Sequence, residues 1–412
     1  MGALGISDYA LFALIVMLPS LLPIGDLGAG AALIDAIEAD CGRPGDRERI
    51  ETTITSSARA LTCTGVLVIF CGLAVIGTGA QAVLLGAASA PEAEACLGVT
   101  VVLIGCGMPL ALGSSALIAL RRAHVATLLQ AGGNLLALSL VLLFAALDAP
   151  IYCFLSAGFL GQSAASLVGL LIAGRILRMS VLRIVVTSLR PGRSVTRIVH
   201  LSGPVTVINV ATACAYGTDR LVLSHVAGTT DVAVYSAGAQ LYTPAWALVN
   251  AAAVPLWNLF VRQRRDSIRI PRTELAKLSA WFGSGALLIG AGLVAAGPSV
   301  TGWMTHGNAG ASTGLMASFA ALLLVHAVVS PVTMWLTQPA ALRFLAARYV
   351  FMALASLVLS VPLAGAVGPA GPVIASAVSH TLCISIPCFR KAFRKAQGAS
   401  RPDAQCRTAE PK

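Results

Sequence analysis

Long uncharged, apolar runs alternate with short polar stretches along the whole chain. We read about eleven such runs, each near the roughly 20 residues a helix needs to cross a bilayer. They cover residues 9–36, 60–85, 97–120, 125–147, 151–174, 199–226, 232–261, 278–300, 313–336, 349–367 and 370–389. Backbone polar groups have no water to bond in lipid, so each run must be a helix unless it belongs to a closed barrel. Barrel strands alternate apolar and polar residues over about ten positions. These runs do not alternate, so the pattern predicts an all-α, polytopic membrane bundle.

Charge then orients the bundle. Every second loop is basic: Arg43, Arg47, Arg49 and Arg59; Arg121 and Arg122; the stretch from Arg175 to Arg197; the stretch from Arg262 to Lys277; Arg343 and Arg348; and the tail from Arg390. The intervening loops carry Glu92, Glu94, Asp148 and Asp231, without Lys or Arg. Of the 28 Lys and Arg residues, all but Arg220 follow this rule. Basic loops stay on the cytoplasmic side. The expected location is therefore the cytoplasmic (inner) membrane, multi-pass, with a cytoplasmic C-terminus and residues before Tyr9 outside.

The remaining composition narrows the function. Hydrophobic residues make up 57% and charged residues 11% of the chain, too few charges for a soluble domain. The net charge of +11 is explained by loop arginines, so no nucleic-acid partner is expected. Ten cysteines show no CxxC and no Cys/His cluster. Cys63, Cys71, Cys106, Cys214, Cys383 and Cys388 fall inside apolar runs and read as small packing residues. No metal and no cofactor is expected; His326 and His380 stand alone, without metal-ligand spacing. The first run lacks a basic leader and is too long and interrupted for a signal peptide, so it reads as a span.

The tract Gly5-Ile6-Ser7-Asp8-Tyr9-Ala10-Leu11-Phe12-Ala13 resembles Gly228-Thr229-Thr230-Asp231-Val232-Ala233-Val234-Tyr235-Ser236. Both sit at the outer mouth of a run that descends to the cytoplasm. Parallel repeats of this kind build many transporters. The second copy follows a helix and the first does not, so the first half lacks an opening helix. Four parts are expected: an N-terminal lobe of five spans (1–174), a basic linker on the inner leaflet (175–198), a C-terminal lobe of six spans (199–389) and a basic cytoplasmic tail (390–412).

Several tracts together resemble the polysaccharide-unit flippases, the O-antigen and exopolysaccharide transporters of the multidrug/oligosaccharidyl-lipid/polysaccharide exporter superfamily. The first is Leu4 to Ile34, with Gly5, Tyr9-Ala10-Leu11-Phe12-Ala13-Leu14 and Asp26-Leu27-Gly28-Ala29-Gly30. The second is Thr218 to Tyr242, similar to the family's seventh-to-eighth helix hairpin, with its Asp-Arg at Asp219 and Arg220. Val254 to Phe260 and Leu359 to His380 are similar to the family's Pro-containing eighth helix and to its last pair of helices. The resemblance implies two pseudo-symmetric lobes, the family's first helix being missing, that rock around a central cavity. It implies as substrate an oligosaccharide on undecaprenyl diphosphate, with membrane lipids and the polymerase and glycosyltransferases of the same pathway as partners. Within the same superfamily, a multidrug or cation antiporter and a lipid II flippase remain alternatives.

An ionised group inside a span is costly and needs a partner, water or substrate. Asp26, Asp219 and Arg220 qualify. Asp26 reads as a proton or cation site or a hinge, or else as a buried carboxylate that pins the fold. Arg220 suits a bidentate grip on diphosphate, or else pairs with an acid or snorkels outward. Gln130, Asn134 and Gln240 head the polar residues that would line a sugar path, Gln130 and Asn134 lying one turn apart on a helix face. Interhelical hydrogen bonding is the alternative role for each. An enzyme is not expected. The loops hold no nucleophile elbow, no HxxxxD-like pair and no phosphate-cradling glycine loop.

Overall fold

The computed structural model describes residues 6–21, 46–85, 92–120, 122–177, 195–265, 271–307, 310–337 and 339–398. Its regular elements are all helical: α1 (Ile6–Leu21), α2 (Asp46–Gly77), α3 (Gln81–Leu85), α4 (Ala93–Gly107), α5 (Leu112–Ala119), α6 (Ala123–Ala146), α7 (Ile151–Leu177), α8 (Val195–Gly217), α9 (Asp219–Val226), α10 (Thr229–Arg265), α11 (Arg272–Met304), α12 (Thr313–Leu336), α13 (Pro339–Val367), α14 (Ala370–His380) and α15 (Ile386–Gly398). Among the described residues eight helical segments are long and apolar enough to cross a membrane. The chain divides into two compact units, Met1–Thr229 and Thr230–Lys412.

The helices differ from the apolar runs in instructive ways. The run 97–120 is broken at Met108, where Pro109 opens a short 3-10 turn between α4 and α5. The run 199–226 is interrupted at Gly217 and Thr218, which separates α8 from α9. Conversely, α2, α13 and α15 reach well past the apolar runs and carry Arg49, Arg343, Arg348, Arg390 and Lys391 inside helix. Arg343 and Arg348 were expected in a loop. Hydropathy marks where lipid begins, and Lys and Arg are good helix formers that carry the helix into water.

In the first unit, α1 is enclosed. Tyr9, Ala10, Leu11, Ala13, Leu14, Ile15 and Met17 are all buried. Ile54, Ala58 and Leu61 of α2 pack with Leu112, Ala116 and Leu117 of α5, Ala126 of α6 and Ala173 of α7. Glycines set the closest crossings. A Cβ at Gly133 on α6 would lie 2.6 Å from the Gly161 carbonyl oxygen on α7, and one at Gly161 would lie 2.3 Å from the Gly133 oxygen. Backbones in van der Waals contact supply the packing attraction that lipid-soaked helices otherwise lack. The outer face of α6 is apolar and open, with Leu128 70% and Leu142 63% exposed, as a lipid-facing surface requires.

In the second unit, Ala245 and Val249 of α10, Ala286 of α11 and Leu323 and Ala327 of α12 form the core. Ser356 of α13 and Ser376 of α14 share a buried hydrogen bond of 3.0 Å. Trp281, in the first third of α11, and Trp303, at its end, are 76% and 81% exposed. At the basic end, Arg272 donates to the Phe393 carbonyl, and the Lys391 ammonium sits 3.7 Å from the Phe344 ring centre. Cys63, Cys71, Cys106 and Cys214 are exposed rather than packed inside, while Cys388 is buried.

Candidate functional site

The Asp-Arg pair lies at the start of α9, where Gly217 ends the preceding helix. Asp219 is 2% exposed, in the first turn, where the helix dipole favours a carboxylate. Arg220 is half-buried and donates from Nη1 to the Ala13 carbonyl of α1, at 3.1 Å. The base that breaks the charge rule therefore ties two helices of the first unit together. At the other end of α9, His225 Nε2 lies 2.7 Å from the Val83 carbonyl of α3 and Nδ1 lies 2.7 Å from the Leu221 carbonyl. Helix α9 is thus bonded to α1 near its first residue and to α3 near its last. Its turn into α10 is closed by Gly228, whose φ of +102° favours glycine.

Gln130 of α6 donates from Nε2 to Gln162 Oε1 of α7 at 3.0 Å, beside the Gly133–Gly161 crossing. Ser114, Ser166, Gln130 and Gln162 line a crevice between α5, α6 and α7. Its closed part holds about one water molecule, too little for a sugar ring. Asn134 is exposed one turn along α6, and Gln240 is exposed on α10 in the second unit. Asp26 lies outside the described residues, as do most of the linker and the C-terminal tail. The structure thus gathers Asp219 and Arg220 on α9, and Gln130 with Asn134 on α6.

A polar cluster that the residue pattern did not announce lies inside the second unit. Tyr242 of α10 bonds through its hydroxyl to His326 Nδ1 of α12 at 3.0 Å. The His326 ring meets His380 of α14 edge-on, with centroids 4.4 Å apart and planes at 71°. Trp246 covers His326 at 4.5 Å, and Phe319 stacks on Tyr242 at 5.1 Å. Both imidazoles are buried. His380 ends α14, and a wide π-turn, Thr381–Ser385, follows. Ser385 Oγ lies 3.3 Å from His380 Nδ1, across that turn. The two histidines look isolated in sequence because they sit on different helices. Among the described residues no group of three His, Cys, Asp or Glu side chains is placed to hold a metal.

Comparison with known proteins places this architecture. The family described as polysaccharide biosynthesis protein matches residues 3–256, more than half of the chain. No curated protein matches it in sequence. Several solved structures share its fold. An inward-facing multidrug resistance MATE family transporter of the MOP superfamily aligns with a TM-score of 0.72 and 17% identity, covering 98% of this chain and 93% of its own. The lipid II flippase MurJ, in an inward closed conformation, aligns at 0.67 with 12% identity, covering 94% and 81%. A Vibrio cholerae MATE transporter aligns at 0.58 with 15% identity, covering 95% of each chain. The chain belongs to the polysaccharide biosynthesis protein family, built on the all-helical fold that MATE transporters and MurJ share.

Proposed function

We propose that this chain flips an undecaprenyl-diphosphate-linked oligosaccharide from the inner to the outer leaflet of the cytoplasmic membrane, by alternating access, for O-antigen or exopolysaccharide assembly. The family match over residues 3–256 carries this reading. Charge supports it. Past Glu274 the chain carries no Asp or Glu until Asp403, so α12 to α15 offer no acid to a drug cation or alkali ion. A diphosphate needs none. It needs donors and bases, and the basic helix ends at Arg343, Arg348 and Lys391 lie on the side where an anionic head group would load. The polymerase and glycosyltransferases of the same pathway are the partners this role implies.

Complementation tests the reading. The chain is expressed in a strain lacking its own O-unit flippase, with membrane insertion verified, and surface polysaccharide is stained. Restored staining is the expected result. No rescue there, with rescue of a lipid II flippase depletion strain instead, would reassign the substrate.

A further inference from the structure

We propose that His326 and His380 form a proton-binding site in the second unit, the pair taking up a single proton. Four observations carry it. Both rings are buried, and their centroids are 4.4 Å apart. Each ring has an oriented oxygen partner: the Tyr242 hydroxyl on His326 Nδ1 and the Ser385 hydroxyl on His380 Nδ1. A hydroxyl both donates and accepts, so each can serve a neutral or a protonated ring by turning its hydrogen. Finally, the helices around the pair are empty of carboxylates from Leu275 to Pro402.

The last point sets the chemistry. Other titratable or charged groups on the surrounding elements are Tyr235 and Tyr242, with Asp231 in the first turn and Arg262, Arg264 and Arg265 at the end, on α10; Arg272, Glu274 and Lys277 at the start of α11; Arg343, Arg348 and Tyr349 on α13; Cys383 in the π-turn; and Cys388, Arg390, Lys391, Arg394 and Lys395 on α15. None of the acids lies past the first turn of its helix. The imidazoles are therefore the proton acceptors of this interior. Two imidazolium charges in contact within a dry core repel strongly, so the first proton excludes a second. Binding is a simple association: the proton takes a ring-nitrogen lone pair, and no bond breaks.

Position makes the site consequential. His380 bonds across the π-turn, an irregularity that often marks functional sites in helices. The ring that takes the proton donates from Nδ1 and fixes its hydroxyl partner, Tyr242 or Ser385, as acceptor, which biases the hydroxyl hydrogen on that side of the pair. The coupling of that bias to transport rests on the flippase reading; the binding of the proton does not.

Proton counting tests it. The purified chain in detergent and its double variant His326→Gln/His380→Gln are titrated from about pH 8 to about pH 4, with four other histidines common to both. The expected difference is one proton per chain. A difference of two would mean independent imidazoles, and no difference would mean no site; either overturns the proposal. The wild-type chain with labelled histidine gives a check that needs no variant, because both buried ring signals should move over one shared pH interval. Separate intervals, or no movement, would overturn it. Tyr242→Phe keeps the ring packing, and should move that interval while leaving the count unchanged. Loss of complementation by the wild-type chain would sink the transport reading and leave the proton count standing.

Discussion

Among single residues, Arg220 shows how far charge alone can lead. The charge pattern isolates it, since it is the one base away from the stretches expected to be cytoplasmic. Its partner was not legible. The Ala13 carbonyl is 207 residues away, and a backbone acceptor leaves no signature in sequence. A charged hydrogen bond of this kind stabilises by about 1.5–3 kcal/mol. Arg220→Ala should therefore lower the thermal midpoint in detergent, and Arg220→Lys should recover part of it. If Arg220 serves only as a phosphate grip, transport would fall with the midpoint unmoved. The histidines failed to stand out for a related reason. His326 and His380 are unremarkable on their own helices, and only the packing of α12 against α14 brings the rings together.

Elements were legible where apolar composition decides them. The run 313–336 and α12 (Thr313–Leu336) coincide. Breaks and extensions were less so. Pro109 splits one run, whereas Pro244, Pro255, Pro298 and Pro331 sit inside continuous helices. A proline removes one donor, and neighbouring helices decide whether the chain bends or breaks. Glycine crossings are hidden too, because forty glycines give no sign of which meet. The Gly133–Gly161 contact makes a sharp test. Gly161→Val would force side-chain atoms into the Gly133 carbonyl and separate α6 from α7. Overpacking of this sort costs about 1–3 kcal/mol, or more where backbone must move. A lower unfolding midpoint in detergent is expected, while Gly132→Val, where a Cβ meets open space, should leave it nearly unchanged.

At the scale of the whole molecule, the membrane class and the helical architecture follow from a mean hydropathy of +0.84 and the spacing of charge. Sidedness is a further expectation that one fusion checks. A fluorescent protein joined after Lys412 should glow, because it folds only in the cytoplasm, and an alkaline phosphatase joined there should stay inactive. The reverse pattern would invert the topology on which the loading side of the substrate depends. The proposed substrate is written less plainly, since sugar recognition would use amides and aromatics that also serve ordinary packing. Gln130 bonded to Gln162 is a case of that ambiguity.

The two tryptophans of α11 constrain how the second unit can move. Trp281 and Trp303 are separated by 22 residues, about 33 Å of helix, close to the roughly 30 Å of hydrocarbon in a bilayer. Indoles settle where lipid meets water. Sliding α11 along its axis would pull one indole into oil and push the other into water. A piston stroke is therefore penalised at both ends at once, while tilting and rolling leave both rings at their level.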